Sequence, residues 1–464
     1  MTEHEAEVAV AAHYGMLLGI QSPWRVKRAR LEIAQKLVDI EVEHEPLRPV
    51  RCPQCQRECR RHDHAPQRTW RHLDVMQFST QIRASVPRCA CEEHGVITLV
   101  PPWAEAGSRF TLMFEAFAVQ VLVASASLTQ AAELLRLDWD SVQRIMDRAV
   151  ERGLKRRSTE TVTLVGLDEK SFGGGHDYVS VMTDHKPARV LEVVKDRTTE
   201  AAMALWASLP AEQRLKIVAA SMDMGASFAA ATRNMAPDAK IVFDRFHVAK
   251  HLNEAVDKVR RDEHRRLMEE GDESLKHTKF LWLQGAAVEG DRAMAFEELC
   301  ARELKTAKAW AFKEMFVEFW AQPNSLCGQR FFEEWYATVM RSKLEPLKKV
   351  ARMLQSHLSG LLNYFDHPIT NAITEGFNSR IQSLKAAARG FRCFANYRTR
   401  ILFFCGKLDL APNLPLALCH EKTGRTVFID GNECSLVVKT VRLYFFDCEM
   451  VSHQSGIGRA GWRW

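Results

Sequence analysis

The chain has 464 residues, of which 46% are hydrophobic and 26% charged, and its formal net charge is +6. This composition excludes a disordered chain and is too large for one ordinary core, so about two to four domains are expected. No uncharged apolar run reaches the roughly 18 residues of a membrane span, and the small basic excess favours nucleic acid only weakly over other partners.

The N-terminal stretch MTEHEAEVAV carries acids where a secretion signal needs bases. No secretion signal is read, so a cytoplasmic protein with reduced cysteines rather than disulfides is expected. Residues 1–45 read as a helical lead-in with a basic patch at Arg25, Lys27, Arg28 and Arg30. Residues 46–105 are rich in Cys, His, Pro and Arg. Within them, CPQC (52–55) and CEEH (91–94) supply Cys52, Cys55, Cys91 and His94 as two close ligand pairs. Such a set suits tetrahedral Zn²⁺ and leaves no open position, so the ion would be structural, in a zinc ribbon built from short strands such as MQFSTQIRASV. Cys59 and Cys89 are spare thiols nearby, so the identity of the ligating cysteines stays open.

Residues 110–157 turn helical. SLTQAAELLRLDWDSVQRIMDRAV (127–150) has two periodic segments around a break at Leu137–Asp140, the pattern of a helix-turn-helix. Ser141, Gln143, Arg144 and Arg148 on the second segment are the candidates for base edges or phosphates. Residues 161–250 follow as three strands and then alternating helix and strand, which predicts a mixed α/β sheet. Residues 251–365 are helical by period and read as an insertion. Residues 366–410 resume with a capped helix, whose expected buried stripe is Phe377, Ile381, Leu384 and Ala388. Residues 411–464 stay unassigned.

Asp168 closes the first strand of this region, in TLVGLDEKSF, and Asp223 closes the fourth, in KIVAASMD. Alone, each is an ordinary turn or cap residue. Together, at the carboxyl ends of neighbouring strands, two carboxylates repel unless a cation lies between them. Glu375, early in the helix after the insertion, is the third candidate. Three carboxylates suit Mg²⁺ or Mn²⁺ in a two-metal phosphoryl-transfer site. Asp244, in FDRFHVAK, also ends a strand and is the alternative second ligand; otherwise Asp244 and His247 form an accessory pair at the rim.

The order Asp168, Asp223, insertion, Glu375 resembles the catalytic triad of DDE transposases on an RNase H-like fold. GLDEKSF, VAASMDMGASFAAATRNMAPDAKIVFDRFHVAKHLNEAVDKVRR and ITEGFNSRIQSLKAAARGF resemble the ISL3 family of bacterial insertion-sequence transposases, as does WRHLDVMQF with PRCACEEHGV. The resemblance implies a multidomain α/β protein: zinc ribbon, helix-turn-helix, and an RNase H-like mixed-sheet catalytic core with an all-helical insertion. It implies two divalent ions per active site, one between Asp168 and Asp223 and one between Asp168 and Glu375. It also implies double-stranded DNA partners, namely terminal inverted repeats and target DNA, cleavage and strand transfer, and at least a homodimer in the synaptic complex. The other readings are a DNA-binding regulator on an inactive core and a structure-specific nuclease.

Overall fold

A computed structural model describes residues 3–414, except 47, 158–159, 174–176 and 285–289, together with 427–429 and 432–434. It contains two compact units, one formed by the chain up to Gly153 together with the segment that begins at Asp409, the other by Leu154–Leu408.

The first unit opens with α1 (Glu3–Leu17), β1 (Trp24–Glu32) and β2 (Leu37–His44). The helical lead-in expected over 1–45 is thus confined to its first third, and the rest is an antiparallel hairpin. The reason is a period of two: Val38, Ile40 and Val42 alternate inward on β2 and are buried, as is Trp24 on β1. The supposed basic patch lies on a strand and is partly neutralised across it, Arg25 by Glu43 at 2.6 Å and Lys27 by Glu41 at 2.9 Å.

There follow β3 (Val50–Arg51), β4 (Glu58–His64), β5 (Arg68–Val75), β6 (Phe78–Ala84), β7 (Pro87–Cys91) and β8 (Gly95–Thr98). They do not form one ribbon. Strands β3-β4-β7-β8 make one sheet, whereas β5 and β6 join the first hairpin in a second, ordered β1-β2-β6-β5. Trp70 and Ile82 of β5 and β6 are fully buried against Trp24, Ile40 and Trp103, giving that sheet its own core. The long spacer between the two ligand pairs is therefore a hairpin committed to the neighbouring sheet. Helices α2 (Leu112–Ala124), α3 (Leu128–Leu135) and α4 (Trp139–Arg157) complete this part of the chain. Thr111 caps α2 and Ser127 caps α3, each accepting a backbone N–H. Ala131 and Ala132 are buried, as close helix packing requires.

The second unit is built on β9 (Leu164–Ser171), β10 (Tyr178–His185) and β11 (Ala188–Lys195), then α5 (Thr199–Ala207), α6 (Ala211–Arg214), β12 (Ala219–Met222), α7 (Ala226–Met235) and β13 (Lys240–Phe243). The sheet order is β11-β10-β9-β12-β13: the first three strands are antiparallel, and β12 and β13 run parallel to β9. Its two faces differ chemically. Val165, Leu167, Met182, Ala220 and Met222 face an apolar core shared with Leu205 and Trp206 of α5 and Phe228 of α7. Gly166, Asp168, Thr183 and Ser221 alternate to the other side.

Helix α8 (Arg245–Glu269) starts directly after β13 and runs unbroken into the helical region, so residue 251, the expected start of the insertion, lies inside a continuous helix. It is followed by α9 (Lys279–Gln284), α10 (Asp291–Ala301), α11 (Lys305–Val317), a 3-10 turn at Glu318–Ala321, α12 (Ser325–Arg341), α13 (Glu345–Ser356) and α14 (Leu358–Asp366). Trp282, Phe316 and Trp335 are core residues here, with the Phe316 and Trp335 rings 4.7 Å apart. Helices α15 (Ala372–Ala387) and α16 (Phe394–Cys405) follow, and the strands β14 (Val427–Ile429) and β15 (Asn432–Cys434) pair antiparallel. The rest of 415–464 lies outside the described residues. No described helix is long and apolar enough to cross a membrane.

Candidate active site and DNA-binding modules

Asp168 does not end its strand. Strand β9 continues to Ser171 in its ladder with β10, whereas the parallel ladder with β12 stops at Gly166↔Ser221. Asp168 and Asp223 each lie two residues beyond that last pair, so they leave adjacent strands in register and on the same face. Asp244 follows β13 in the equivalent position, next to the Met222↔Phe243 pair. Three carboxylates thus stand side by side where the parallel part of the sheet ends.

Helix α15 lies against this polar face and presents the fourth. Its approach depends on Gly166, where a Cβ would come within 3.0 Å of Thr374, Thr183 and His185. Thr374 pairs with Thr183 at 2.8 Å. Asn371, fully buried at the helix start, is the N-cap by position but makes no capping side-chain bond. Its amide instead donates to the Leu167 carbonyl (3.3 Å) and accepts from Ser221 Oγ (3.3 Å), and its backbone N–H donates to Asp244 (3.1 Å). These bonds fix Glu375, in the first turn, beside the strand ends. The buried side of α15 is not the expected apolar stripe: Thr374 and Ile381 are buried, while Phe377, Leu384 and Ala388 are only half-buried. The reason is that the sheet face it meets is polar.

Asp168 is 8% exposed. Its carboxylate accepts from the Glu169 N–H at 2.8 Å and from Asn378 Nδ2 at 2.8 Å. Burial, with the negative charges of Asp223 and Glu375, pushes its pKa up to about 6. Burial and the Asp244 charge raise Glu375 as well. His247 moves upward because it bonds Asp244 (3.2 Å) and lies near Asp223 and Asp168. Two carboxyl groups and an imidazole whose pKa values are all raised in one cluster are the signature of missing positive charge.

The two aspartates that competed for the second ligand position differ in occupation. Asp244 is 2% exposed and engaged by both His247 and Asn371. Asp223 is half-buried, and one of its oxygens accepts only the Gly225 N–H at 3.0 Å. Asn378 was not singled out in the sequence, although it sits one helical turn after Glu375. Its Oδ1 is buried with no hydrogen-bond partner.

In the ribbon, Cys52, Cys55, Cys91 and His94 present ligand atoms that all lie within 4.8 Å of one another. Among the described residues no other set of three or more possible ligands is gathered so tightly; the carboxylate oxygens above are neighbours but more widely spread. Cys55 and Cys91 sulfurs are 3.7 Å apart, and His94 Nδ1 is 3.6 Å from Cys91 and 3.8 Å from Cys52. Ligands bound at about 2.0–2.3 Å to a tetrahedral zinc are separated by about 3.4–3.8 Å, so the residues fit that ion. Backbone N–H groups at the turn holding His94 bring the Cys91 thiol down to about 7, whereas burial holds the spare Cys59 at about 11.

In the helix-turn-helix, three of the four candidate DNA contacts are used internally. Ser141 is buried and donates to Asp138 (2.7 Å), Gln143 is buried and donates to Asp147 (2.9 Å), and Arg148 donates to the buried Glu115 (2.6 Å). Only Arg144 is exposed. Sequence periodicity placed these residues on one helix but could not tell which of its faces meets α2 and the preceding loop. Arg148→Ala removes one of the two arginines on a carboxylate that is 1% exposed, the other being Arg152. It is expected to lower the stability of this region by about 2–3 kcal/mol, read from thermal unfolding. Arg144→Ala is expected to leave the melting curve unchanged.

A mixed five-stranded sheet with carboxylates at the ends of its parallel strands, preceded by a metal-binding ribbon and a helix-turn-helix, defines a DNA-processing enzyme of the DDE transposase class. The comparisons agree. Residues 165–401 match the ISL3 family described as "Transposase", residues 100–150 the helix-turn-helix domain of transposase family ISL3, and residues 48–94 the zinc-finger of transposase IS204/IS1001/IS1096/IS1165. The chain belongs to the ISL3 transposase family. It is 26% identical over 348 residues to the transposase for insertion sequence element IS1001 of Bordetella parapertussis, covering 74% of this chain and 85% of that protein. It is 24% identical over 369 residues to the transposase for IS1557 of Mycobacterium tuberculosis, covering 74% of this chain and 82% of that protein.

Proposed function

We propose that the protein binds the terminal inverted repeats of its own insertion sequence, cleaves the element ends and joins them to target DNA, with Asp168, Asp223 and Glu375 as the catalytic carboxylates. The observation that carries this reading is the register of Asp168 and Asp223, on one face two residues beyond the Gly166↔Ser221 pair, with Glu375 brought beside them by α15. The donor set is all hard oxygen, and the Asn378 Oδ1 next to Asp168 adds a further buried acceptor, so the residues fit Mg²⁺ or Mn²⁺. Two such ions, when bound, activate water or a 3′-hydroxyl and stabilise the leaving oxygen.

The chain's own residues do the rest. Asp168 would serve both ions, with Asp223 helping to hold one and Glu375 the other. Asp244 holds His247 and the start of α15 in place, and the His247 imidazole offers a donor toward a phosphate oxygen at the rim. Cys52, Cys55, Cys91 and His94 hold a structural zinc, and Arg144 is the exposed contact of the recognition helix. Joining two ends in one synaptic complex requires at least a homodimer. A soluble protein of the bacterial nucleoid is the setting this activity needs.

The test is end-labelled element DNA incubated with Mg²⁺ or Mn²⁺. Asp223→Asn and Glu375→Gln are each expected to lower cleavage by about 10³-fold or more, with DNA binding retained. Asp244→Asn, which keeps the hydrogen-bonding shape, is expected to lower it by about tenfold. Full activity in Asp223→Asn with loss in Asp244→Asn would move the second ligand to Asp244. Binding by the wild type with no cleavage in any metal would reject the catalytic reading.

A further inference from the structure

The ribbon gathers more thiol than its metal needs. Cys52, Cys55, Cys59, Cys89 and Cys91 belong to one cluster, and Cys52, Cys55 and Cys91 complete a ligand set with His94. Cys59 and Cys89 are left over, and they differ. Cys89 is 0% exposed, whereas Cys59 is half-buried and within reach of a small solute. The register singles out a partner for Cys59. Strands β4 and β7 run antiparallel, with Arg60 opposite Ala90 and Arg61 opposite Cys89. One step further along the same ladder sets Cys59 opposite Cys91. Directly opposed residues of an antiparallel pair have Cα atoms about 4.5–5.5 Å apart, and a disulfide spans about 4.4–6.8 Å. The Cys59 and Cys91 side chains already interact. The Cys59 thiol donates to the Arg57 carbonyl at 3.4 Å, a weak bond that it can give up.

We propose that Cys59 is an oxidation site: a peroxide joins it to Cys91 as a disulfide, and the ribbon thereby loses one of its four metal ligands. The inference rests on the structural-zinc reading and goes beyond it. The Cys91 thiolate sulfur attacks one oxygen of hydrogen peroxide; an S–O bond forms, the O–O bond breaks and hydroxide leaves. The Cys59 sulfur then attacks the Cys91 sulfur; the S–S bond forms, the S–O bond breaks, and the departing oxygen leaves as water with the Cys59 proton. Two electrons pass from the sulfurs to the peroxide, and the hydroxide takes a proton from solvent to give the second water. Cys55 is also near, its sulfur 3.7 Å from that of Cys91, but both belong to the ligand set and are held by the metal. Cys59 lies outside the set and is under no such constraint. A sulfur in a disulfide is no longer a thiolate, which is the form that binds the metal. With that ligand gone, a sheet whose core is mostly cysteine loses its cross-link and opens.

The test treats zinc-loaded, full-length protein with hydrogen peroxide. Released zinc is read with a chromophoric chelator, and disulfides are mapped by mass spectrometry after digestion without reductant. The wild type is expected to lose its zinc together with a pair of thiols, to show the Cys59–Cys91 bridge, and to recover the metal with dithiothreitol and Zn²⁺. Cys59→Ser is expected to hold zinc before treatment and to release it at least about tenfold more slowly, because no second thiol is positioned beside Cys91. Cys89→Ser is expected to behave as the wild type. A Cys55–Cys91 bridge in the wild type, or equally fast zinc loss from Cys59→Ser, overturns the proposal while leaving the zinc reading intact. The bridge is mapped on the wild type alone, so it decides the matter even where a variant misfolds. A wild type that holds no zinc before treatment overturns the zinc reading and this proposal with it.

Discussion

Asp168→Asn is expected to abolish metal-dependent cleavage, by about 10³-fold or more, and at the same time to stabilise the metal-free fold. Both effects have one cause. Asp168 is buried beside two other carboxylates, and its pKa is raised from 3.8 to about 6. A raised acid binds its proton more tightly in the folded than in the unfolded state. Folding stability therefore falls as the pH climbs from about 4 to about 6, and the deficit persists above that; a shift of about two units corresponds to about 3 kcal/mol. A neutral amide carries no such deficit. It keeps the bond from the Glu169 N–H, and Asn378 can turn its idle Oδ1 toward the new donor. The expected result is a gain of about 1–3 kcal/mol above pH 6 that disappears near pH 4. Thermal unfolding across that range, without added Mg²⁺ but with the ribbon metal left in place, measures it. An Asp168→Asn protein less stable than the wild type at pH 8 would contradict the account of the site as a nest of uncompensated negative charge.

Removing the ribbon metal is expected to unfold the β3-β4-β7-β8 sheet and to leave the β1-β2-β6-β5 sheet folded. The core of the first is Val50, Cys52, Cys89 and Cys91, with Cys55, Cys59, Ile97 and Leu99 at its edge. Half or more of that cluster is cysteine, too little apolar area to fold without a cross-link, so metal binding there is folding free energy. The second sheet has Trp70, Ile82, Trp24 and Trp103 at its centre and owes nothing to the metal. Hydrogen exchange after treatment with a strong chelator should show residues 50–64 and 87–98 opening while 68–84 stay protected. Cys91→Ser should reproduce the pattern and lower bound zinc from one per chain, whereas Cys59→Ser should not. Loss of protection in both sheets together would mean that they share one cooperative unit.

Much of this was legible in the sequence because the signals were chemical or strictly periodic. The four residues gathered in the ribbon are read from two close pairs of soft donors. Three strands followed by alternating helix and strand predict the mixed sheet, although Asp168 lies within its strand and not at the end of it. The misreadings arose where the signal concerns which side of an element meets a neighbour. The segment 24–44 was taken for helix because its charges hid an alternation of Val38, Ile40 and Val42. Ser141, Gln143 and Arg148 looked available because a helical period does not say which residues answer a buried carboxylate such as Glu115. Asn371 and Asn378 are polar residues on a helix by sequence and anchors of the site by structure.

The sequence by itself determined the donors, their order along the chain and the modules that carry them, since ligand chemistry and periodicity are properties of residues near one another. Only the tertiary structure decided that β5 and β6 leave the ribbon for another sheet, that α15 lies against a polar sheet face over Gly166, and that Asp223 keeps an oxygen to spare while Asp244 is occupied. Those outcomes depend on contacts between residues far apart in the chain, such as Asn371 with Leu167 and Ser221, which no local pattern records.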